Sequence, residues 1–184
     1  MIGFFDIEFT CWENSLETNW SNPEQPPEII EIGMVIYDPN SEEVVHQASH
    51  WVRPKTNPNL SHYCKELTGI KQSQIDQAHD LSEINAEINT TLNQYTVDQY
   101  FSWGKEDLTF WQNDSARSQS ECPVPEHQYT DLMRLFSEDG SCVGRTEAAA
   151  AHHVRRKNLE RHKALNDALD LIPFYHASIA YEPN

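Results

Sequence analysis

The stretch that most constrains this chain is Ile2-Gly3-Phe4-Phe5-Asp6-Ile7-Glu8-Phe9-Thr10. Phe, Ile and Thr favour a pleated surface, and the run has the length of an ordinary strand. Side chains two apart on a strand point to one face. Asp6 and Glu8 therefore stand side by side in a strand whose other residues are almost all apolar. Burying two like charges costs on the order of several kcal/mol unless something compensates them or one takes up a proton. A divalent cation compensates both at once, and oxygen ligands at this spacing suit magnesium or manganese. A strand with one wet face would carry the same pair without any cation, so the rest of the chain has to decide.

With 184 residues the chain has the size of one domain with a full core. No run of 18 apolar residues exists, so no transmembrane helix and no membrane partner are expected. The first residues show no basic region followed by an apolar one, so no export signal is expected. Cys11, Cys64, Cys122 and Cys142 are far apart and form no C-x-x-C, which disfavours a disulfide framework or structural zinc and fits a reducing, cytoplasmic setting. The net charge of −16 opposes tight, non-specific binding of long duplexes. Basic charge gathers in one place: Arg155, Arg156, Lys157, Arg161 and Lys163 make five of the 13 Lys and Arg. Such a run is ordinarily a solvated helix face.

Along the chain, strands are expected at residues 28–38 and 43–53, joined as an antiparallel hairpin by a three-residue turn at Asp38-Pro39-Asn40. The pattern then becomes helical. Ser61 is the expected N-cap of a short helix that Gly69 stops, and residues 72–78 form another. Leu81, Ile84, Ile88, Leu92 and Tyr95 make an amphipathic stripe. A fourth strand is expected at residues 98–103, a helix at 106–116, a short strand at 127–132, a helix starting at 132, a turn at 137–141, an Ala-rich helix at 146–154 and a last helix at 163–172. A hairpin followed by alternating strands and helices indicates an α/β domain with a mixed sheet.

Two further groups draw attention. Ser102-Trp103-Gly104-Lys105-Glu106-Asp107 reads as a strand end, a Gly turn and a helix start, the kind of place where α/β sheets gather ligands. Arg161-His162-Lys163-Ala164-Leu165-Asn166-Asp167-Ala168 places His162 and Asp167 five apart, about 140° on one continuous helix and unable to converge. If the helix begins just after His162, Asp167 shares its buried side with Ala164 and Ala168, and His162 hangs from the preceding loop.

D-x-E on the first strand, W-G-x-x-D after the fourth and H-x-x-x-x-D on the last helix occur in that order. The ordered set resembles the DnaQ-like, DEDDh class of 3′–5′ exonucleases over nearly the whole chain. Within it, residues 6–13 (Asp-Ile-Glu-Phe-Thr-Cys-Trp-Glu) and 60–70, with Glu-Leu-Thr-Gly-Ile at the end, look like the Eri-type exoribonuclease branch and its bacterial relatives. The match departs at Asn166, where relatives often carry a second acid, and residues 121–151 match nothing familiar.

The resemblance implies a ribonuclease H-like fold, with an antiparallel meander of strands one to three followed by parallel strands, as a single domain over residues 1–184. It implies two divalent cations, Mg²⁺ or Mn²⁺, held by Asp6, Glu8, Asp107 and Asp167, with His162 taking a proton from the attacking water. A histidine of ordinary pKa near 6.5 suits that task. Phe9, Thr10, Cys11, Trp12, Tyr63 and Leu67 are the implied substrate contacts, aromatic rings stacking on a terminal base. The basic run beside His162 then gains a backbone-tracking role, and Tyr175 is the nearest tyrosine to orient water should His162 not act. The implied partner is the 3′ end of single-stranded RNA, or of DNA if the chain is a proofreading-type enzyme. A catalytically silent nuclease fold that only binds is a third reading, opposed by the presence of all four acids and the histidine.

Overall fold

The computed structural model describes residues 1–15, 17–18, 20–137, 141–156 and 159–180. Among these residues five strands, β1 (Ile2–Phe9), β2 (Ile29–Asp38), β3 (Glu43–Trp51), β4 (Gln99–Ser102) and β5 (Tyr129–Asp131), form one sheet in the order β3-β2-β1-β4-β5. β1, β2 and β3 pair antiparallel, whereas β4 and β5 continue the sheet in parallel. Among the described residues the α-helices are α1 (His62–Thr68), α2 (Gln72–Asp76), α3 (Leu81–Tyr95), α4 (Glu106–Arg117), α5 (Leu132–Leu135), α6 (Arg145–Ala151), α7 (Ala164–Leu169) and α8 (Ile172–Ala180). The mixed, ribonuclease H-like sheet expected from the sequence is present.

The strands bury both faces. Phe5 and Ile7 of β1, with Ile32, Met34 and Ile36 of β2, pack against Leu81, Ile84, Ile88 and Leu92 of α3 and Leu108 and Trp111 of α4. Ile2 and Phe4, with Val35 and Tyr37, pack against α5 to α8 through Leu132, Ala148, Ala168 and Phe174. On that second face Asp6 and Glu8 continue the line begun by Ile2 and Phe4. β1 pairs with β4 only from Ile2 to Phe4, so the two acids lie beyond that pairing. A β-bulge between Glu8 and Phe9 then ends the regular ladder with β2, a feature common beside functional sites.

Gly33 of β2, paired with Asp6, sets how closely α7 lies on the sheet. A Cβ there would fall 2.1 Å from the Ala164 carbonyl carbon and 2.2 Å from the Leu165 nitrogen. Only glycine admits backbone this close.

Two local expectations need correction. The hairpin turn spans residues 39–42, with Asp38 paired to Glu43, not three residues. The Asp38 carboxylate accepts hydrogen bonds from the Asn40 N–H and the Ser41 hydroxyl, and Glu42 adopts φ +58°. Asp38 thus organises a longer loop that closes through a left-handed residue. The helix expected at 163–172 is α7, which ends at Leu169, and a further helix that was not expected, α8, follows it with Pro173 in its first turn, where the missing N–H costs nothing. The expected turn at 137–141 lies partly outside the described residues.

Candidate active site

The carboxylates of Asp6, Glu8 and Asp167 each offer an oxygen within 4.8 Å of the others. β1 supplies the first two by its two-residue repeat, and α7 supplies the third. The helix starts at Ala164, immediately after Lys163, so Ala164, Asp167 and Ala168 form its buried side. Asp167 is fixed at both oxygens. Its Oδ2 accepts the His162 backbone N–H at 3.0 Å, and its Oδ1 meets Arg145 Nη2 at 2.7 Å.

Asp107 stands in the first turn of α4. The turn in front is held by Gly104, whose N–H donates to Asp131 Oδ1 at 2.9 Å and whose carbonyl accepts from the Ser102 and Tyr129 hydroxyls. Gly104 has φ +94°, which glycine tolerates. Asp107 lies outside the 4.8 Å set, yet close enough for Asp6 and Glu8 to raise its carboxyl.

The electrostatics are those of a compressed acid cluster. Burial, opposed by Arg145 and reinforced by Asp167 and Glu31, pushes the Asp6 carboxyl up to about 8. Burial and then Asp6, Asp167 and Glu31 push Glu8 up to about 9. Asp107 is raised well above the carboxylate range, mainly by burial and Asp6. Each direction means that the anion is disfavoured in the cluster and that an added cation is favoured. An all-oxygen donor set suits a hard divalent ion such as Mg²⁺ or Mn²⁺.

Beside the acids lies a cleft of about 270 Å³ lined by Glu8, Phe9, Cys11, Ser15, Trp20, Tyr63, Leu67 and His162. Tyr63 and Leu67 project from α1, whose start is capped by Ser61: its hydroxyl accepts the Cys64 N–H and donates to the Cys11 carbonyl. This ties α1 to the end of β1. His162 is exposed and adopts φ +56°, an uncommon conformation for a residue with a Cβ and one that gathers at functional sites. A larger cavity of about 530 Å³, lined by Phe101, Phe136, Tyr175 and Ile179 among others, contains none of the four acids.

Of the expected substrate contacts, Phe9, Cys11, Tyr63 and Leu67 line the cleft, and Thr10 and Trp12 do not. Thr10 is buried, and its hydroxyl donates to the Pro26 carbonyl and accepts the Glu28 N–H, so it fastens the loop before β2. Trp12 is half-buried off the cleft, its N–H held by Ser15 Oγ at 2.8 Å. The aromatic in that loop that does reach the cleft is Trp20. Its indole N–H donates to the Thr10 carbonyl, and its ring meets Phe9 and Phe110 edge-on. The basic run divides. Arg156 is committed to Asp170 and to the Thr146 hydroxyl, and Lys163 donates to the Thr68 carbonyl at the end of α1. Arg155 and Arg161 are exposed, and Lys157 lies outside the described residues. Tyr175 packs among Phe4, Tyr37 and Phe101, away from the cleft.

Sequence reasoning missed Glu31 and Arg145. Glu31 pairs with Glu8 across β1 and β2 and accepts the Ser49 hydroxyl at 2.6 Å. Its signal was available: a lone acid inside a hydrophobic strand, facing Glu8 once the register is known. Arg145 lies three positions before the Ala run and gave no such signal.

The sequence profile of the family described as exonuclease (RNase_T) matches residues 4–175. Among curated proteins, a probable 3′–5′ exonuclease, KapD of Bacillus subtilis (strain 168), is 30% identical over 174 residues, covering 89% of this chain and 77% of that protein. ERI1 exoribonuclease 2 of Mus musculus is 28% identical over 186 residues, covering 97% of this chain and 22% of that protein. The 3′–5′ exonuclease eri1 of Schizosaccharomyces pombe is 34% identical over 91 residues, 50% of this chain and 29% of that protein. The chain thus spans under a third of the length of several curated relatives it matches. In fold it is similar to cell-death related nuclease 4 (TM-score 0.80, 19% identity, 98% of this chain and 64% of that one). It is also similar to the nuclease domain of 3′hExo, a DEDDh family member solved with rAMP (TM-score 0.70, 21% identity, 98% and 92%).

Proposed function

The chain belongs to the exonuclease family, and from that membership we propose that it is a divalent-metal-dependent 3′–5′ exonuclease that hydrolyses single-stranded 3′ ends, RNA in preference to DNA. The observation that carries this reading is the convergence of Asp6, Glu8 and Asp167 beside a cleft that also holds His162. Asp6, Glu8 and Asp167 would hold Mg²⁺ or Mn²⁺, with Asp107 in reach of a second ion. Bound there, two such cations supply neutralising charge for the attacking and leaving oxygens of a phosphodiester.

The chain's own residues do the remainder. Tyr63, Trp20 and Phe9 give the terminal base apolar surface and rings to stack on, a mode that tolerates any base. Leu67 and Cys11 extend that floor. His162 stands on the same cleft as Glu8 and accepts the proton of the attacking water at a ring nitrogen, so that no hydroxide has to form beside the acids. The hydrogen bond from the His162 N–H to Asp167 fixes the base relative to a metal ligand. RNA is favoured because relatives along most of this chain are named exoribonucleases. The acidic balance of −16 further disfavours long duplexes.

The test is release of mononucleotides from RNA and DNA strands blocked at either end, with Mn²⁺ or with chelator. The 3′-blocked strands should resist and the RNA should be consumed faster. His162→Ala should lower single-turnover rates by roughly 10²–10⁴ while Mn²⁺ still binds. Cutting from the 5′ end, or equal turnover in chelator, would remove the proposal.

A further inference from the structure

Arg145 is the unexpected member of the site. It is the first residue of α6, and its side chain is only 13% exposed. Its Nη2 lies 2.7 Å from Asp167 Oδ1, its Nη1 lies 3.0 Å from the Asp167 carbonyl, and the same Nη1 is 3.8 Å from Asp6 Oδ1. The guanidinium therefore sits between two of the acids that would hold the cation. Its base is anchored. Ala148, one turn on, is fully buried in the second core, and the Val143 carbonyl just upstream accepts the Trp103 indole N–H at 2.9 Å. The fork is planar and permanently charged, so it cannot leave the contact by losing a proton.

We propose that Arg145 is a built-in counter-cation that competes with the divalent ion for Asp167 and so sets how tightly the site takes up metal. This rests on the reading of Asp6 and Asp167 as metal ligands. Asp167 has one oxygen taken by the His162 N–H and the other by Arg145. A divalent ion that claims Oδ1 meets a guanidinium on the same oxygen, and like charges at that separation repel strongly in a buried site. The ion and Arg145 are thus two ligands of one carboxylate with negative coupling. Without metal, Arg145 keeps Asp6 and Asp167 side by side. With metal, the released fork stays tethered to the start of α6.

The competition predicts a pattern that an ordinary structural ion pair does not. Arg145→Gln leaves a buried carboxylate uncompensated, so the metal-free protein should melt lower. Mn²⁺ should then bind about tenfold more tightly, because it no longer displaces a cation. The Mn²⁺-loaded variant should recover most of the lost melting temperature. Arg145→Lys, which keeps the charge without the two-nitrogen fork, should fall between.

The experiment is calorimetric titration of Mn²⁺ into wild type, Arg145→Gln, Arg145→Lys and Asp6→Asn, with melting temperatures recorded with and without Mn²⁺. Tighter binding in Arg145→Gln with a larger metal-induced rise supports the proposal. Unchanged or weaker binding in both Arg145 variants, with wild type binding normally, overturns it and leaves the exonuclease reading standing. A wild type that binds Mn²⁺ no better than Asp6→Asn overturns the ligand assignment itself, and the competition with it.

Discussion

The two faces of the central strands obey different rules although they share the same backbone. The face toward α3 and α4 is apolar from end to end, with Phe5, Ile7, Ile32, Met34 and Ile36 against two amphipathic helices. The face toward α7 begins the same way, with Ile2, Phe4 and Val35, and then turns acidic at Asp6, Glu8 and Glu31. One face is built for stability. The other gives up stability over its last turns to hold charges that have no hydrophobic reason to be there. The difference teaches where buried charge is placed in this sheet: beyond the last β1–β4 pair, where a strand end is free of that neighbour.

Gly33→Val should break the comparison most completely. Its side chain would meet the backbone of Ala164 and Leu165, so α7 must lift from the sheet and take Asp167 with it. Loss of detectable Mn²⁺ binding and of turnover is expected, while the near-ultraviolet dichroism of Trp111 on the far face persists. A variant that still binds Mn²⁺ as wild type would show that α7 is not seated through Gly33. Trp111→Ala attacks the other face. Trp111 is fully buried, packs edge-on against Phe5, and donates to Asn85 Oδ1 at 2.8 Å. Denaturant unfolding should show a loss of about 3–5 kcal/mol, with the Mn²⁺ affinity of the surviving folded protein unchanged.

Asp6→Asn should move the two properties in opposite directions. It removes a carboxyl that burial and neighbouring acids hold in an unfavourable state. The metal-free protein should therefore gain stability, by roughly 1–4 kcal/mol, while metal uptake and turnover are lost. A metal-free Asp6→Asn that melts below wild type would mean that Asp6 is stabilised by Arg145 more than it is penalised by burial.

How much of this was legible before the structure follows from the same contrast. The apolar face was readable because alternation and the 3.6-residue stripe are local: Leu81 to Leu92 fall as the sequence places them, and α3 spans Leu81–Tyr95 as expected. Asp6 and Glu8 were readable because a misplaced acid in an apolar run is itself a signal, whereas Asp167, in the charged run Arg161 to Asp170, was readable only through its place in the ordered motif set. Arg145 and Trp20 were not, because an arginine before an alanine run and a tryptophan in a polar loop look like surface. What brings them to the site is the docking of α6 through Ala148 and the edge-on packing of Trp20 on Phe9 and Phe110. Those are long-range contacts with no local pattern. Thr10 and Trp12, expected as substrate contacts, do not line the cleft, for the complementary reason: adjacency in sequence to Glu8 is not adjacency to the cleft once a bulge turns the chain at Phe9.

The smallest prediction sharpens the contrast by using two kinds of acid as pH probes. Asp6 and Glu8 have folded pKa values raised from 3.8 and 4.5 to about 8 and about 9. Their favourable contribution is complete below the unfolded values and is lost as pH rises through the folded ones. The metal-free wild type should melt lower at pH 8.5 than at pH 6, and an Asp6→Asn/Glu8→Gln double variant should flatten that slope. Asp80 is the opposite case. It caps α3 on the stable face, accepting the Ser82 and Glu83 N–H groups, and its pKa is lowered chiefly by the Ser82 hydroxyl. Its contribution is present above the unfolded value of 3.8 and lost as pH falls through the lower, folded value. Asp80→Ala should therefore cost about 1 kcal/mol at every pH from 5 to 9, because the cap is ionised throughout. Melting curves of wild type and the Asp80 and Asp6/Glu8 variants across that range separate the two faces by sign. An Asp80→Ala penalty that grows between pH 6 and 8.5 would tie the cap to the acid cluster and make the two faces one electrostatic unit.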